Sequence, residues 1–344
     1  MATTFKTLVL DKDVANTRTM LHEAIPLTGT IVSGTYADEN IKNYAHGMFQ
    51  SVYDYPYLSS SANHIFDLTV GYSATSALSG AASIQNAKKI NIYNQMAQVL
   101  VGYDETGAIR EFDQDGNLAA GGTKLKECVF VNYSRLLTKD EVKKGSFIMT
   151  ALTGGTPAAP TSPLTISDYG ASSTYLTNSP AGEYAPLYTS SVGITTSSAI
   201  GLLYYQAGIA VLTASVYDGT FGSPAATYDT SSIDAVLTGS QISSSCDGIR
   251  NRWQDCDFNN TTELNSTIYF CRASSNEFNY SSNPTYLSGS KIRVKNESTD
   301  SPSSYITTIG LYSEDNELLA VAKISEPLKK DPTNELTLRV RLDY

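Results

Sequence analysis

The chain has 344 residues and a net charge of −10, with only 17% of its residues charged. Its length allows one large core or two ordinary ones, so an organisation into two or three parts is expected. Between Lys144 and Arg250 there is no lysine or arginine, and a segment without cations cannot neutralise phosphates, which excludes nucleic acid and anionic membranes as partners of this stretch.

The composition favours a mainly β fold with a few short helices. The chain has 23 Tyr against 1 Trp, and Ser, Thr, Gly and Asn are abundant. Tyrosine suits strands and polar-tipped contact surfaces, because its ring adds apolar area while its hydroxyl needs a partner. We therefore expect antiparallel, sandwich-like β modules.

The first region, residues 1–152, is predicted to be mixed α/β. Residues 41–50 suggest a short helix, and residues 53–57 form a loop rich in tyrosine. Residues 86–102 are predicted to be a longer helix that Gly102 ends. Its apolar positions recur at helical spacing: Ile90, Tyr93, Met96, Ala97 and Leu100.

The end of the first region is predicted to hold two strands, residues 128–133 and 146–152, with a one-turn helix starting at Thr138 between them. Residues 153–163 (TGGTPAAPTSP) have the composition of a linker or an extended surface loop. They are predicted to open a second region, residues 153–245, rich in Ser, Thr and Tyr.

The second region contains a hairpin over residues 201–216, whose two apolar arms flank Gln206-Ala207-Gly208. The arms are hydrophobic on both faces, while the flanking sequence offers few apolar residues to cover them. A monomer would then expose a large apolar patch, so we predict an intersubunit interface here, with cationic partners for its acidic residues. The predicted interface residues are Leu202, Leu203, Tyr204, Tyr205, Ile209, Val211, Asp168, Glu183 and Asp218.

The third region, residues 246–344, is predicted to be an antiparallel β domain. Residues 305–312 (YITTIGLY), 317–325 (ELLAVAKIS) and 335–344 (ELTLRVRLDY) are strand-like, and short turns separate them. The last run alternates apolar and polar residues, which is typical of a strand with one face on a core and one in water. Together they predict a C-terminal β-meander.

This ending resembles structural proteins of tailed bacteriophages, especially baseplate and fibre-attachment proteins of contractile tails. The same resemblance extends to FDLTVG, NIYNQMAQVLVGY, YFCR, NEFNYSSNPTY and KIRVKN further upstream. It implies a virion protein, made in the cytoplasm of a bacterial host, whose partners are other phage virion proteins. A homo-oligomer within a symmetric assembly is expected.

Sites for chemistry are sparse. His22, His46 and His64 have no zinc-ligand spacing, and neither a nucleophile elbow nor a phosphate-binding loop is present. The calcium-like spacing at residues 113–117 fails, because a calcium loop needs Gly at its sixth position and Glu at its twelfth, where this chain has Leu118 and Lys124. We expect no metal and no cofactor.

Acidic pairs offer one enzymatic alternative. A glycosidase needs two carboxyl groups facing across a cleft, and the pairs Glu111 with Asp113 and Asp255 with Asp257 are the candidates. The cysteines are too sparse for a disulfide scaffold. Free thiols are favoured over a bridge between Cys246 and Cys256.

The sequence thus favours a non-enzymatic structural component of a phage virion that makes protein–protein contacts in the tail. A neck or head-to-tail connector is an alternative within the same class. A tail-associated carbohydrate-binding or depolymerising protein is the alternative from another class, and exposed tyrosine platforms would distinguish it. No apolar run is long enough to span a bilayer, and the N-terminus has no secretory pattern.

Overall fold

A computed structural model of the chain describes residues 5–26, 38–80, 83–119, 121–156, 159–189, 191, 198–217, 232–281, 287–288, 291–292, 299 and 301–344. The chain divides into two compact units. We call Leu21–Thr262 the central unit, and Met1–Met20 with Glu263–Tyr344 the terminal unit.

Strands dominate the described residues, which confirms the predicted mainly β class with a few helices. The helices are α1 (Leu10–Asp13), α2 (Ile84–Leu100), α3 (Arg135–Thr138), α4 (Ala171–Thr174), α5 (Ile233–Thr238) and α6 (Ile242–Asn251). The strands are β1 (Val14–Pro26), β2 (Ile41–Asn43), β3 (Gln50–Tyr53), β4 (His64–Tyr72), β5 (Phe112–Asp113), β6 (Lys124–Leu125), β7 (Glu127–Tyr133), β8 (Glu141–Val142), β9 (Ile148–Thr156), β10 (Ala159–Ser167), β11 (Leu176–Ser179), β12 (Gly182–Leu187), β13 (Gly201–Tyr204), β14 (Ile209–Thr213), β15 (Trp253–Ala273), β16 (Leu287–Ser288), β17 (Lys291–Ile292), β18 (Ser304–Tyr312), β19 (Leu318–Lys330) and β20 (Leu336–Asp343).

An eight-stranded antiparallel sheet forms the centre of the central unit. Its strand order is β11-β12-β13-β14-β7-β4-β3-β2. The four middle strands, β13, β14, β7 and β4, are buried along almost their whole length. Helix α2 confirms the helix predicted over residues 86–102, with bounds of Ile84–Leu100, and it packs on β4.

A second sheet packs against the first within the central unit. Strands β9 and β10 form an antiparallel hairpin, and the start of β15 pairs with β9. The Tyr133 ring of β7 contacts the rings of Phe147, Trp253 and Phe258. The Trp253 ring in turn stacks on Phe66 of β4, with ring centroids 4.8 Å apart. These aromatic contacts make the unit sandwich-like, as predicted.

In the terminal unit, the end of β15 pairs with β20 from Ser266 opposite Asp343 to Ala273 opposite Leu336. Along β20 the apolar side chains are more buried than the polar ones, so the predicted alternation is confirmed. The predicted meander is wrong in its connection, because β18 and β19 pair with each other whereas β20 pairs with β15. Strand pairing depends on partners distant in sequence, which the local pattern does not specify.

Three local predictions are wrong. Residues 41–50 contain β2 and the start of β3 instead of a helix. The short helix α3 ends at Thr138 instead of starting there. The predicted linker 153–163 supplies the paired ends of β9 and β10. Pro163 is tolerated because β10 is the edge strand of its sheet, where a missing N–H need not cost a ladder bond.

The predicted boundaries between three regions do not coincide with the two compact units. Strand β9 runs across the boundary expected at residues 152–153, and helix α6 runs across that at 245–246. Residues 153–245 belong to the central unit, so the described part of this stretch is no separate domain. All four cysteines are free, which excludes the bridge between Cys246 and Cys256 in this structure.

Candidate interaction surfaces

The apolar hairpin of β13 and β14 is covered by its own chain. Strands β12 and β7 flank it in the sheet, so neither arm is an edge. Ile209 is partly buried, and the other five predicted interface residues of the hairpin are at most 1% exposed: Leu202, Leu203, Tyr204, Tyr205 and Val211. The prediction that these side chains face another subunit is therefore wrong. An arm that is apolar on both faces is instead typical of a strand at the centre of a sandwich.

Asp168 is fully buried and ties together neighbouring segments of the central unit. Its carboxylate accepts hydrogen bonds from the backbone N–H groups of Gly145 and Phe147, at 2.7 and 3.1 Å, and from the Tyr205 hydroxyl at 2.8 Å. Desolvation raises the pKa of Asp168 to about 6, although these three hydrogen bonds favour the charged form. Asp168 therefore stabilises the fold and does not contact a partner.

Glu183 has its cationic partner in the same chain. Its carboxylate lies 2.5 Å from the Lys144 ammonium group, which also lies 5.0 Å from the Tyr175 ring centroid and 5.4 Å from that of Tyr205. The predicted pairing of Glu183 with a cation on another subunit is thus replaced by an internal ion pair. The remaining predicted interface residue, Asp218, lies outside the described residues.

The hairpin of β18 and β19 in the terminal unit exposes large apolar side chains on both of its strands; we call it the ribbon. Among the described residues its two strands pair only with each other, so both outer edges are unpaired. Five large apolar side chains project from it with about half or more of their surface in solvent: Tyr305, Tyr312, Leu318, Leu319 and Val321. A two-stranded hairpin is at best marginally stable alone, and long apolar edge strands associate with other chains. The sequence predicted these strands but not their exposure, because a strand with apolar residues on both faces is typically buried.

A second exposed surface surrounds the loop after β3; we call it the tyrosine patch. The Tyr53 ring lies 6.3 Å from Tyr57 and 5.5 Å from His64, measured between ring centroids. Tyr55 is 57% exposed beside them, and Leu58 is also exposed. The predicted aromatic loop over residues 53–57 is therefore at the surface.

Polar groups border the tyrosine patch. One carboxylate oxygen of Asp67 accepts from the Ser51 hydroxyl at 2.5 Å and contacts the His64 Nε2 at 2.8 Å. The hydrogen bond with Asp67 raises the pKa of His64. Desolvation raises the pKa of Asp67, but hydrogen bonds from His64 and Ser51 outweigh it and hold that pKa below its usual value.

This polar cluster does not form a nucleophilic relay. In a Ser-His-Asp relay the imidazole lies between the hydroxyl and the carboxylate, whereas here the Asp67 carboxylate lies between Ser51 and His64. The cluster can accept and donate hydrogen bonds at the edge of an aromatic surface. It has no geometry for activating the serine.

The acidic pairs do not face each other across a cleft. Asp255 and Asp257 lie two positions apart on β15 and therefore project from the same face of one strand. Asp113 forms an ion pair with Lys124, and Glu111 accepts hydrogen bonds from Ser73 and Thr75. Within the described residues no cluster of His, Cys, Asp and Glu has the arrangement of a metal site.

Comparison with known proteins identifies no relative of this chain. No family model, no curated protein and no solved structure matches it. Among the described helices, none combines the length and the apolar character of a membrane-spanning segment.

Proposed function

We propose that this chain is a non-enzymatic structural subunit of a tailed-bacteriophage virion, made in the host cytoplasm and incorporated into the baseplate or fibre-attachment region of a contractile tail. The observation that carries the proposal is the ribbon, whose apolar side chains are in solvent. Burying such surface against a neighbouring protein is favourable, and soluble monomers rarely expose large contiguous apolar patches. The resemblance of its motifs to those of phage tail proteins supports a place in a virion more strongly than any one position within it.

The ribbon suits assembly better than catalysis for a second reason. Its large exposed apolar residues are hydrocarbon and phenol side chains, which supply contact area but neither a strong nucleophile nor a general base near neutral pH. The unpaired strand edges supply backbone donors and acceptors that another strand can satisfy. A subunit held by such contacts gives shape and attachment to a particle.

Incorporation into particles tests this proposal. Purified virions of the phage that encodes the chain should contain it when their proteins are identified by mass spectrometry. A Leu319→Asp variant should remain folded, because this side chain is 69% exposed, but should be depleted from particles. Leu136→Asp is the matched control, since Leu136 of the central unit is 64% exposed, and it should be incorporated normally. Particles that lack the wild-type chain would contradict the proposal.

A second candidate function is the binding of a glycan at the tyrosine patch. Exposed tyrosine rings offer flat apolar faces for sugar rings, and the Asp67 carboxylate with its hydroxyl and imidazole partners offers hydrogen bonds beside them. Glycan-array binding that a Tyr55→Ala variant abolishes and a Tyr305→Ala variant retains would support it. Equal binding by both variants would exclude the patch.

A further inference from the structure

The outer face of β19 has a self-complementary pattern. Glu317, which precedes the strand, and Leu319, Val321 and Lys323 are all exposed, while Ala320, Ala322 and Ile324 between them are partly buried. Among the described residues, the Glu317 carboxylate and the Lys323 ammonium group have no ion-pair partner. The face therefore has an apolar centre, an unpaired anion at one end and an unpaired cation at the other.

We propose that two copies of this chain associate through β19, aligned antiparallel about a two-fold axis at Ala320. In this register each Glu317 lies opposite Lys323 of the other copy, and each Leu319 lies opposite Val321. Residues directly opposite in an antiparallel pair project from the same face and interact. Both pairs occur twice because the axis repeats them, as an isologous interface requires.

The association completes an incomplete sheet. Two ribbons joined along β19 form one four-stranded sheet, whereas each ribbon alone has only two strands. The turn from Ser313 to Glu317 precedes this register, and beyond it the ladder with β18 shifts between Ile306 and Thr308. The ladder shifts a second time between Leu311 and Tyr312, so Leu319 is a bulged residue without a directly opposed residue on β18. A shift of one residue would place Glu317 opposite Ala322 or Ile324 and would leave both charges unpaired.

The other edge of the ribbon lacks such a pattern. Strand β18 has the sequence SYITTIGLY, which contains no charged residue and so cannot fix a register by charge. Like charges directly opposite each other destabilise a strand pair, and opposite charges stabilise it. The opposite charges of Glu317 and Lys323, at the two ends of the proposed register, therefore favour a second copy over an unrelated strand.

A charge exchange tests the register. Light scattering coupled to gel filtration should find a dimer for the wild-type chain. Lys323→Glu and Glu317→Lys should each raise the dissociation constant about tenfold or more, because each places like charges in both symmetric pairs. The double variant with both exchanges should restore the dimer. Arg339→Glu, which makes the same change in charge at an exposed site of β20, should leave the dissociation constant unchanged.

A crosslink tests the axis. The Cα atoms of directly opposed antiparallel residues lie about 4.5–5.5 Å apart, which a disulfide spans readily since its Cα atoms lie about 4.4–6.8 Å apart. An Ala320→Cys variant should therefore form a covalent dimer under mild oxidation. Thr307→Cys, on the opposite strand of the ribbon, should not.

This inference rests on the proposed function, yet the two fail separately. A wild-type chain that stays monomeric at high concentration, or forms a trimer, would overturn the pairing along β19, as would a double exchange that fails to restore the dimer. The virion measurements would still decide the proposed function. A dimer that never enters particles would retain the pairing and overturn the structural role.

Discussion

At the scale of single residues, Lys89 shows how a buried charge is accommodated. Its side chain is fully buried on α2, and its ammonium group donates to the backbone carbonyls of Leu237 and Gly239 at the end of α5. Carbonyls at the end of a helix lack intrahelical partners, so a lysine can satisfy them. Burial lowers the pKa of Lys89 to about 8.

Replacing Lys89 should destabilise the fold in a pH-dependent way. Lys89→Met leaves two buried carbonyls unsatisfied and should cost about 2–3 kcal/mol in the free energy of unfolding near pH 7. Because the folded pKa lies below the unfolded value of 10.5, the unfolded chain binds more protons between pH 8 and 10.5, so this group adds stability as the pH rises. Urea unfolding at pH 7.5 and 9.5 should therefore show a larger difference between wild type and variant at the higher pH. An equal difference would contradict the assignment.

Asp168 should give the opposite dependence. Its folded pKa of about 6 lies above the ordinary value of 3.8, so the folded state binds more protons between these values and the contribution of this group to stability grows as the pH falls from 6 towards 4. Asp168→Asn points an amide N–H₂ at one of three donors and should cost about 2 kcal/mol at pH 7. Thermal unfolding followed by circular dichroism should show the gap between the two proteins widening below pH 6. A constant gap would mean that Asp168 does not titrate in this range.

At the scale of elements, the contact between α2 and β4 depends on the absence of a side chain at Gly71. A Cβ atom there would lie 2.7 Å from the Lys89 carbonyl oxygen and 2.9 Å from the Tyr93 backbone nitrogen. These atoms belong to the helix backbone, so only a shift of the whole helix could make room. The glycine therefore sets the distance between helix and sheet.

Gly71→Ala should consequently destabilise the protein by about 2 kcal/mol or more, as overpacking does elsewhere. Gly80→Ala is the control, because a Cβ atom there has nothing within 4 Å and the backbone angle is ordinary. Guanidinium unfolding of both variants measures the difference. A Gly71 variant as stable as the Gly80 variant would show that α2 can move away at little cost.

Elements whose pattern is local were predictable from the sequence, and their partners were not. The period-two pattern of β20 predicted its strand and its buried face, but nothing near it in sequence indicates that it pairs with β15 rather than β19. The hairpin of β13 and β14 was predicted with its turn, yet its apolar arms were assigned to a subunit interface. In the structure β12 and β7 flank them, and β7 comes from a much earlier part of the chain. The ribbon was predicted as strands, whereas its exposure required the structure.

At the scale of the whole molecule, the chain divides where β1 and β15 pass from one compact unit to the other. Each unit has its own set of buried residues. The single tryptophan, Trp253, belongs to the central unit and is fully buried against Phe66. Its fluorescence therefore reports on the central unit alone.

The substitution Val340→Asp should destabilise the terminal unit and leave the fold of the central unit unchanged. Val340 is the most buried apolar residue of β20. An unpaired charge at this position should lower the free energy of unfolding by about 3–5 kcal/mol, as unpaired buried charges do in other proteins. The terminal unit should become sensitive to limited proteolysis after residue 263, while the emission maximum of Trp253 stays that of the wild type. Arg339→Asp, which places the same charge on the exposed face of the strand, should leave both signals unchanged. A red-shifted Trp253 emission in the Val340 variant would show that the stability of the central unit depends on the terminal unit. A terminal unit that resists the protease would show that Val340 is not part of its core.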